Sequence, residues 1–334
     1  MDIIKPKRLK RGDRIRVVAP ASSMSGLAES AVKLGISNLE KIGFKIEISP
    51  YASKVHGHTS GPPKERAKIL MDAFADQQVN AVMSIWGGYN SSDLLEYLDY
   101  TLFRTYPKIF VGFSDITTLT TVITDRTGLV TFQGPAFITW THSFLMNWEV
   151  TSFQTALMEP EKQHLIKPAP TYIDDPYYYL HSDKPVEERQ NPGWKTIQGG
   201  IAEGPVTGGH LGTLLGLAGT KYWPDLRGRI LVVEEDETGG PTGNIARKFR
   251  QLRHSGALDD ISGLVIGRIP AHAGLKPGDD LNMIIKENLA EYDFPIVSEV
   301  DFGHTNPIVT IPIGISAKLD ADNHELLFLG SAVT

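Results

Sequence analysis

The sequence predicts an α/β protein, with an N-terminal parallel-sheet domain of the flavodoxin-like kind followed by a smaller, mainly β C-terminal domain. Three observations carry this. Strand-length apolar runs alternate with helical periodicity up to about residue 158, periodicity is lost over a proline-rich stretch at 159–198, and short apolar runs cut by Gly and Pro follow from 199. Strands alternating with helices require a parallel sheet covered on both faces. The expected divisions are 1–158, a linker or substrate loop at 159–198, and 199–334. With 334 residues, 41% hydrophobic and 22% charged, the chain can bury two cores.

The elements follow in order. Residues 13–19 alternate into a first strand and 27–42 carry a helical pattern; 45–48 form a second strand, 55–63 a turn-rich loop and 64–74 a helix. A third strand at 81–85 ends on Trp86-Gly87-Gly88-Tyr89-Asn90, with a helix expected at 91–98. A fourth strand at 109–111 precedes Gly112-Phe113-Ser114-Asp115, after which Ile116, Leu119, Val122 and Ile123 recur at helical spacing. A fifth strand at 129–132 and a helix at 148–158 complete the first domain. In the second, strands are expected at Val206, 230–233, 264–269, 296–300, 308–315 and 325–329, and helices near 213–217, 244–253 and 280–288.

Charge and composition exclude several functions. The 33 Lys and Arg against 39 Asp and Glu give a net charge of −6, which leaves no electrostatic footprint for a nucleic acid polymer or an anionic membrane. A small-molecule partner fits better. The absence of cysteine removes thiolate nucleophiles, thiolate metal sites and disulfides. The basic N-terminus lacks the apolar core of a signal peptide, and no stretch reaches the roughly 18 apolar residues of a membrane span, so a soluble, cytoplasmic protein is expected.

Ser114 stands at a strand-to-helix turn, where open α/β sheets expose chemistry next to helix N-terminal N–H groups. G-x-S there lacks the second glycine of the G-x-S-x-G elbow, Ile116 taking its place, and a helix N-cap serine is the bland alternative. A serine nucleophile needs a base. His304, in the loop Asp301-Phe302-Gly303-His304-Thr305-Asn306-Pro307 after a strand, is the candidate, against a surface histidine capping a turn. His56 and His58 form an H-x-H without a third ligand at suitable spacing and read as solvated loop residues. An orienting carboxylate is expected at a strand end. Glu234 opens the acidic cluster after 230–233, and pleat alternation turns one member inward, with Glu235 as the fallback. Oxyanion donors are available from the Gly87-Gly88 pair and the N–H of Asp115. A phosphate-binding loop is not supported, because G-G-Y-N-S-S lacks the lysine and the G-x-G-x-x-G spacing.

Taken together, WGGYN at 86–90, GFSD at 112–115, TGGHL at 207–211, ILVVEED at 230–236 and DFGHTNP at 301–307 resemble the LD-carboxypeptidase family of serine peptidases over about residues 12–320. The resemblance implies a Ser-Glu-His triad split between two domains, with Ser114 as nucleophile, Glu234 as acid, His304 as base, and Gly88 and Asp115 as oxyanion donors. It implies a homodimer and requires no metal or organic cofactor. Gly87, Tyr89, His210 and Trp194 are the expected substrate contacts.

Two branches of that family are to be separated: muramoyltetrapeptide carboxypeptidases, which remove a terminal D-alanine, and microcin C immunity proteins, which cleave an aminoacyl-nucleotide. GHTNP and the aromatic 159–198 segment resemble the second. There Trp194 and Tyr177, Tyr178 and Tyr179 could stack on a nucleobase, or else pack on the domain. His210 departs from the asparagine common beside the glycine pair, which changes the expected polar contacts. A non-catalytic protein that binds a peptide or nucleotide in the same crevice is the rival from another class.

Overall fold

The computed structural model describes residues 2–175, 184–239, 242–271 and 280–334. The N-terminal half builds β1 (Arg14–Val18), α1 (Glu29–Ile42), β2 (Lys45–Ile48), α2 (Pro63–Ala75), β3 (Ala81–Ser84), α3 (Tyr100–Thr105), β4 (Ile109–Gly112), α4 (Thr117–Thr127), β5 (Thr131–Gln133) and α5 (Asn147–Met158). Its five strands are parallel in the doubly wound order β2-β1-β3-β4-β5. Strand β3 and β4 are buried at every position, as a sheet covered on both faces demands. The helix expected at 91–98 is instead a short 3-10 turn at Ser91–Leu94, with α3 following at Asp99, whose side chain accepts from Thr101 N.

The second sheet has eight strands in the order β6-β16-β15-β10-β11-β12-β13-β9, where β6 is Leu165–Ile166, β9 Lys195–Gln198, β10 Ile201–His210, β11 Ile230–Glu234, β12 Gly263–Gly267, β13 Ile296–Val300, β15 Ser316–Asp320 and β16 Glu325–Phe328. The sheet is mixed, and the second half is largely β as expected, with a parallel centre. Strands β10 to β13 are parallel, and parallel neighbours require crossovers. These carry α6 (Leu211–Leu215), α7 (Thr242–His254) and α8 (Leu281–Leu289).

Two features bear on the expected divisions. The 159–198 stretch contributes β6 and β9 to the second sheet, and β7 (Thr171–Ile173) pairs with β8 (Glu188–Gln190) as a separate hairpin. Strands of two to four residues are too short to leave a period, and only long-range pairing creates them. The expected strand at 308–315 shrinks to β14 (Ile311–Ile313), which lies antiparallel on β5 of the first sheet. The chain therefore returns to its N-terminal half before finishing. One buried apolar cluster accordingly includes residues of both halves, such as Ile15, Phe132, Val206, Val232 and Ile311.

Helix α4 lies between the sheets. Its sequence, TTLTTVITDRT, is poor in helix propensity because β-branched residues lose rotamer freedom. Burial compensates: Thr120 and Thr127 return their hydroxyls to the carbonyls of Ile116 and Ile123, and Thr117 Oγ1 accepts from His210 N at 2.8 Å. Strand β10 comes close enough that a Cβ on Gly209 (φ +145°) would sit 2.4 Å from Thr117 Oγ1. The glycine pair of TGGHL thus makes room for one half of the molecule against the other.

Candidate active site

Ser114 follows β4 with φ 62°, a left-handed conformation that costs a non-glycine residue on the order of 1–3 kcal/mol. Glycines around it explain how the turn is held. A Cβ on Gly112 would lie 2.2 Å from Ser84 Oγ, and one on Gly87 would lie 2.8 Å from Ser114 Oγ and 3.1 Å from Asp115 N. A side chain at 87 would thus fill the space in front of both groups. Buried Asp115 pins the glycine loop, its Oδ2 accepting from Asn90 N and Ser91 N at 2.9 Å each, and burial raises its pKa. Buried Arg66 joins three loops at this edge of the sheet, bonding the carbonyls of Gly61, Pro20 and Asn90 at 2.6–3.0 Å.

Glu234 ends β11 and is 3% exposed. Its Oε2 lies 2.6 Å from His304 Nδ1. Gly303 (φ +104°) permits that approach, since a Cβ there would meet Glu234 Oε2 at 2.7 Å. Burial opposes charge on His304, but the Glu234 carboxylate outweighs it and raises the pKa. Pleat alternation turns Glu235 the other way, onto His210 Nε2 at 2.7 Å and onto Lys248. It is Glu234, then, that touches His304.

Ser114 and His304 line one lobe of the crevice, a cavity of about 230 Å3 whose walls include Trp86, Tyr89, Phe113 and Ile138. An adjoining lobe of about 350 Å3 shares Ser114, Gly88 and Tyr89 and is lined further by His210, Asp236 and Lys248. Lys248 was not anticipated, because sequence distance hides that α7 faces the end of β11, while Asp236 stood in the acidic cluster without a role assigned to it. The His210 ring lies 5.6 Å from that of His304 in an edge-to-face arrangement. Burial works against charge on His210, yet Asp236 and Glu235 raise its pKa well above the usual histidine range. His210, Glu235 and Asp236 bring ligand atoms within 4.8 Å of one another, as a metal would need. One contact disfavours that role: Lys248 already neutralises Glu235, one of the three groups.

The remaining expected residues part ways. Tyr89 is 76% exposed at the mouth of both lobes. Trp194 does not line the crevice: it is 3% exposed and donates Nε1 to Asp301 Oδ2 at 3.2 Å, so the packing alternative holds for this ring. Tyr177, Tyr178 and Tyr179 lie outside the described residues. His56 and His58 are exposed loop residues.

Two family models match in tandem: the LD-carboxypeptidase N-terminal domain over residues 15–134 and the LD-carboxypeptidase C-terminal domain over 203–319. The chain belongs to the LD-carboxypeptidase family. YocD of Bacillus subtilis (strain 168) is 33% identical over 94% of this chain and 95% of its own length. An MccF-like protein from Bacillus anthracis superposes with a TM-score of 0.89 at 34% identity, covering 98% and 99% of the two chains. The microcin C7 self-immunity protein MccF in complex with aspartyl sulfamoyl adenosine superposes with a TM-score of 0.91 at 26% identity, covering 99% and 100%. As a member of this family the protein is a hydrolase of the serine carboxypeptidase type. No helix among the described residues is long and apolar enough to cross a membrane.

Proposed function

We propose that this LD-carboxypeptidase-family hydrolase uses Ser114 as nucleophile, His304 as base and Glu234 to orient the imidazole, on an amide bond near a free carboxylate. The observation that carries this is the 2.6 Å Glu234–His304 contact in a crevice shared with Ser114. Glu234 on Nδ1 leaves Nε2 to take the Ser114 proton as Oγ attacks the carbonyl. The N–H groups of Gly88 and Asp115 receive the developing oxyanion, each such donor contributing roughly 3 kcal/mol in the transition state. His304 passes the proton to the departing amine, the C–N bond breaks, and water, deprotonated by His304, resolves the acyl-enzyme.

An aminoacyl-nucleotide is the favoured substrate class. The lobe beside His304 has Trp86, Tyr89 and Phe113 on its walls, suited to a flat base, and the MccF relative binds aspartyl sulfamoyl adenosine. Removal of D-alanine from a murein tetrapeptide is the second reading, favoured by the family's activity. Assaying wild type and Ser114→Ala on both substrate types separates them. Turnover by the wild type on one alone identifies the class, while turnover retained by the alanine variant sinks the serine mechanism. A purely binding protein would resist labelling of Ser114 by a serine-directed phosphonate, read by mass spectrometry. Homodimer assembly belongs to the same proposal and is checked by light scattering.

A further inference from the structure

We propose that Glu149, on α5 of the N-terminal half, is the positioning residue for the loop that carries His304, where His304 is the base of the reading above. Glu149 is 1% exposed, and its Oε2 accepts two hydrogen bonds from that loop, from Asn306 Nδ2 at 2.9 Å and from Ile308 N at 2.8 Å. Both donors lie within four residues of His304. Ser152, one turn further along α5, accepts from Thr310 N at 3.0 Å, so one helical face holds the loop at successive points. On the opposite side Asn306 and Ile173 exchange backbone bonds of 2.8 and 3.0 Å, and buried Asp301 anchors the beginning of the loop through Ala169 N and Asn191 Nδ2 at 2.9 Å each.

A buried carboxyl is an expensive way to satisfy two N–H donors, since an amide or hydroxyl oxygen would suffer less desolvation. What a carboxylate adds is strength, because charge-assisted bonds are about twice as strong as neutral ones. The cost is visible in its titration: burial pushes Glu149 up to about 7, against the pull of the Ile308 N–H and the Asn306 amide. These two groups face it; among the described residues no charged side chain contributes. The grip on the loop is therefore strongest when Glu149 is charged, and it slackens as pH falls through neutrality. His304 is displaced from Glu234 and Ser114 when the grip is lost.

The test compares Glu149→Leu and Glu149→Gln with wild type by kcat and KM across the acid and neutral range, and by backbone hydrogen exchange at residues 302–310. Leucine removes both acceptors, so kcat should fall about 100-fold with KM little changed, the cost of misplacing a catalytic group by about 1 Å. The Ile308 amide should lose protection in the same variant. Glutamine presents the same neutral carbonyl oxygen as the protonated carboxyl, so at neutral pH its kcat and Ile308 protection should fall between wild type and the leucine variant, at the level wild type reaches only in acid. It should also reduce the acid limb of the kcat profile from a two-proton to a one-proton slope. Wild-type kcat and wild-type Ile308 protection in the leucine variant would overturn the proposal, as would a two-proton slope surviving in the glutamine variant. Should the leucine variant fail to fold, the glutamine slope decides alone. Hydrogen exchange needs no turnover, so loss of Ile308 protection still supports the clamp if Ser114→Ala proves active. A dead alanine variant beside an unchanged leucine variant removes the clamp and leaves the serine reading standing.

Discussion

At the residue scale, the arrangement divides two adjacent carboxylates between two histidines. Glu234 serves His304 and Glu235 serves His210, and the pleat of β11 keeps them apart. Glu234→Gln should lower kcat by roughly 10^2 to 10^4-fold, as when an orienting carboxylate is neutralised in other triads. The sign of the accompanying pH shift follows from the contact. Glu234 raises the His304 pKa, so its loss lets His304 become neutral at lower pH, and the acid limb of kcat/KM moves down. Glu235→Gln should leave that limb nearly in place. Gly87→Ala tests the space in front of Ser114. Its Cβ would crowd Ser114 Cβ and Oγ and Asp115 N, so a loss of about 10^2 to 10^3-fold in kcat is expected, read on folded protein checked by its melting temperature.

At the scale of elements, the site depends on α4 lying flush against β10. Gly209→Ala should destabilise the protein by roughly 1–3 kcal/mol in urea denaturation, because the new methyl meets Thr117 Oγ1 and Gln133 Nε2 inside 3 Å at a φ unsuited to alanine. Much of this organisation was legible in the sequence. The five parallel strands of the first sheet, the turn at Ser114, and the placing of Glu234 and His304 at strand ends all follow from local apolar runs and their punctuation. Glu234 at the end of β11 is an instance in part: alternation separates it from Glu235 onto opposite faces, but both acids are buried, Glu235 under His210 and Lys248. What stayed hidden was non-local. Strands β6 and β9 exist because a distant edge receives them, and the seat of Trp194 under Asp301 depends on a partner 107 residues away. Lys248 reached the crevice by tertiary packing that no periodicity records, and Glu149 looks like an ordinary amphipathic-helix acid until its loop is in place.

For the whole molecule, the pH dependence of stability carries a signature of the buried Glu149. Its folded pKa of about 7 stands above the unfolded value of 4.5, so the folded state holds the proton more tightly. Stability attributable to this group is full below pH 4.5 and is lost as pH rises through about 7, on the order of 3 kcal/mol in total. Urea denaturation of wild type and Glu149→Gln at about pH 5 and about pH 8 should therefore show the wild type losing ground relative to the variant at the higher pH. A difference that does not change with pH would count against a buried carboxyl titrating near neutrality. A fold that tolerates such a loss is keeping a charged group for a reason other than stability.

The return of β14 to the first sheet has a mechanical consequence. The segment from Asp301 to Thr310 begins where β13 leaves one sheet and ends where β14 joins the other, so it is a short covalent tether strung between the two halves. Any swinging apart of the halves must stretch this tether, and His304 rides on it. Movement of one half against the other would therefore carry His304 relative to Ser114, so the length of this tether is part of the proposed catalytic geometry.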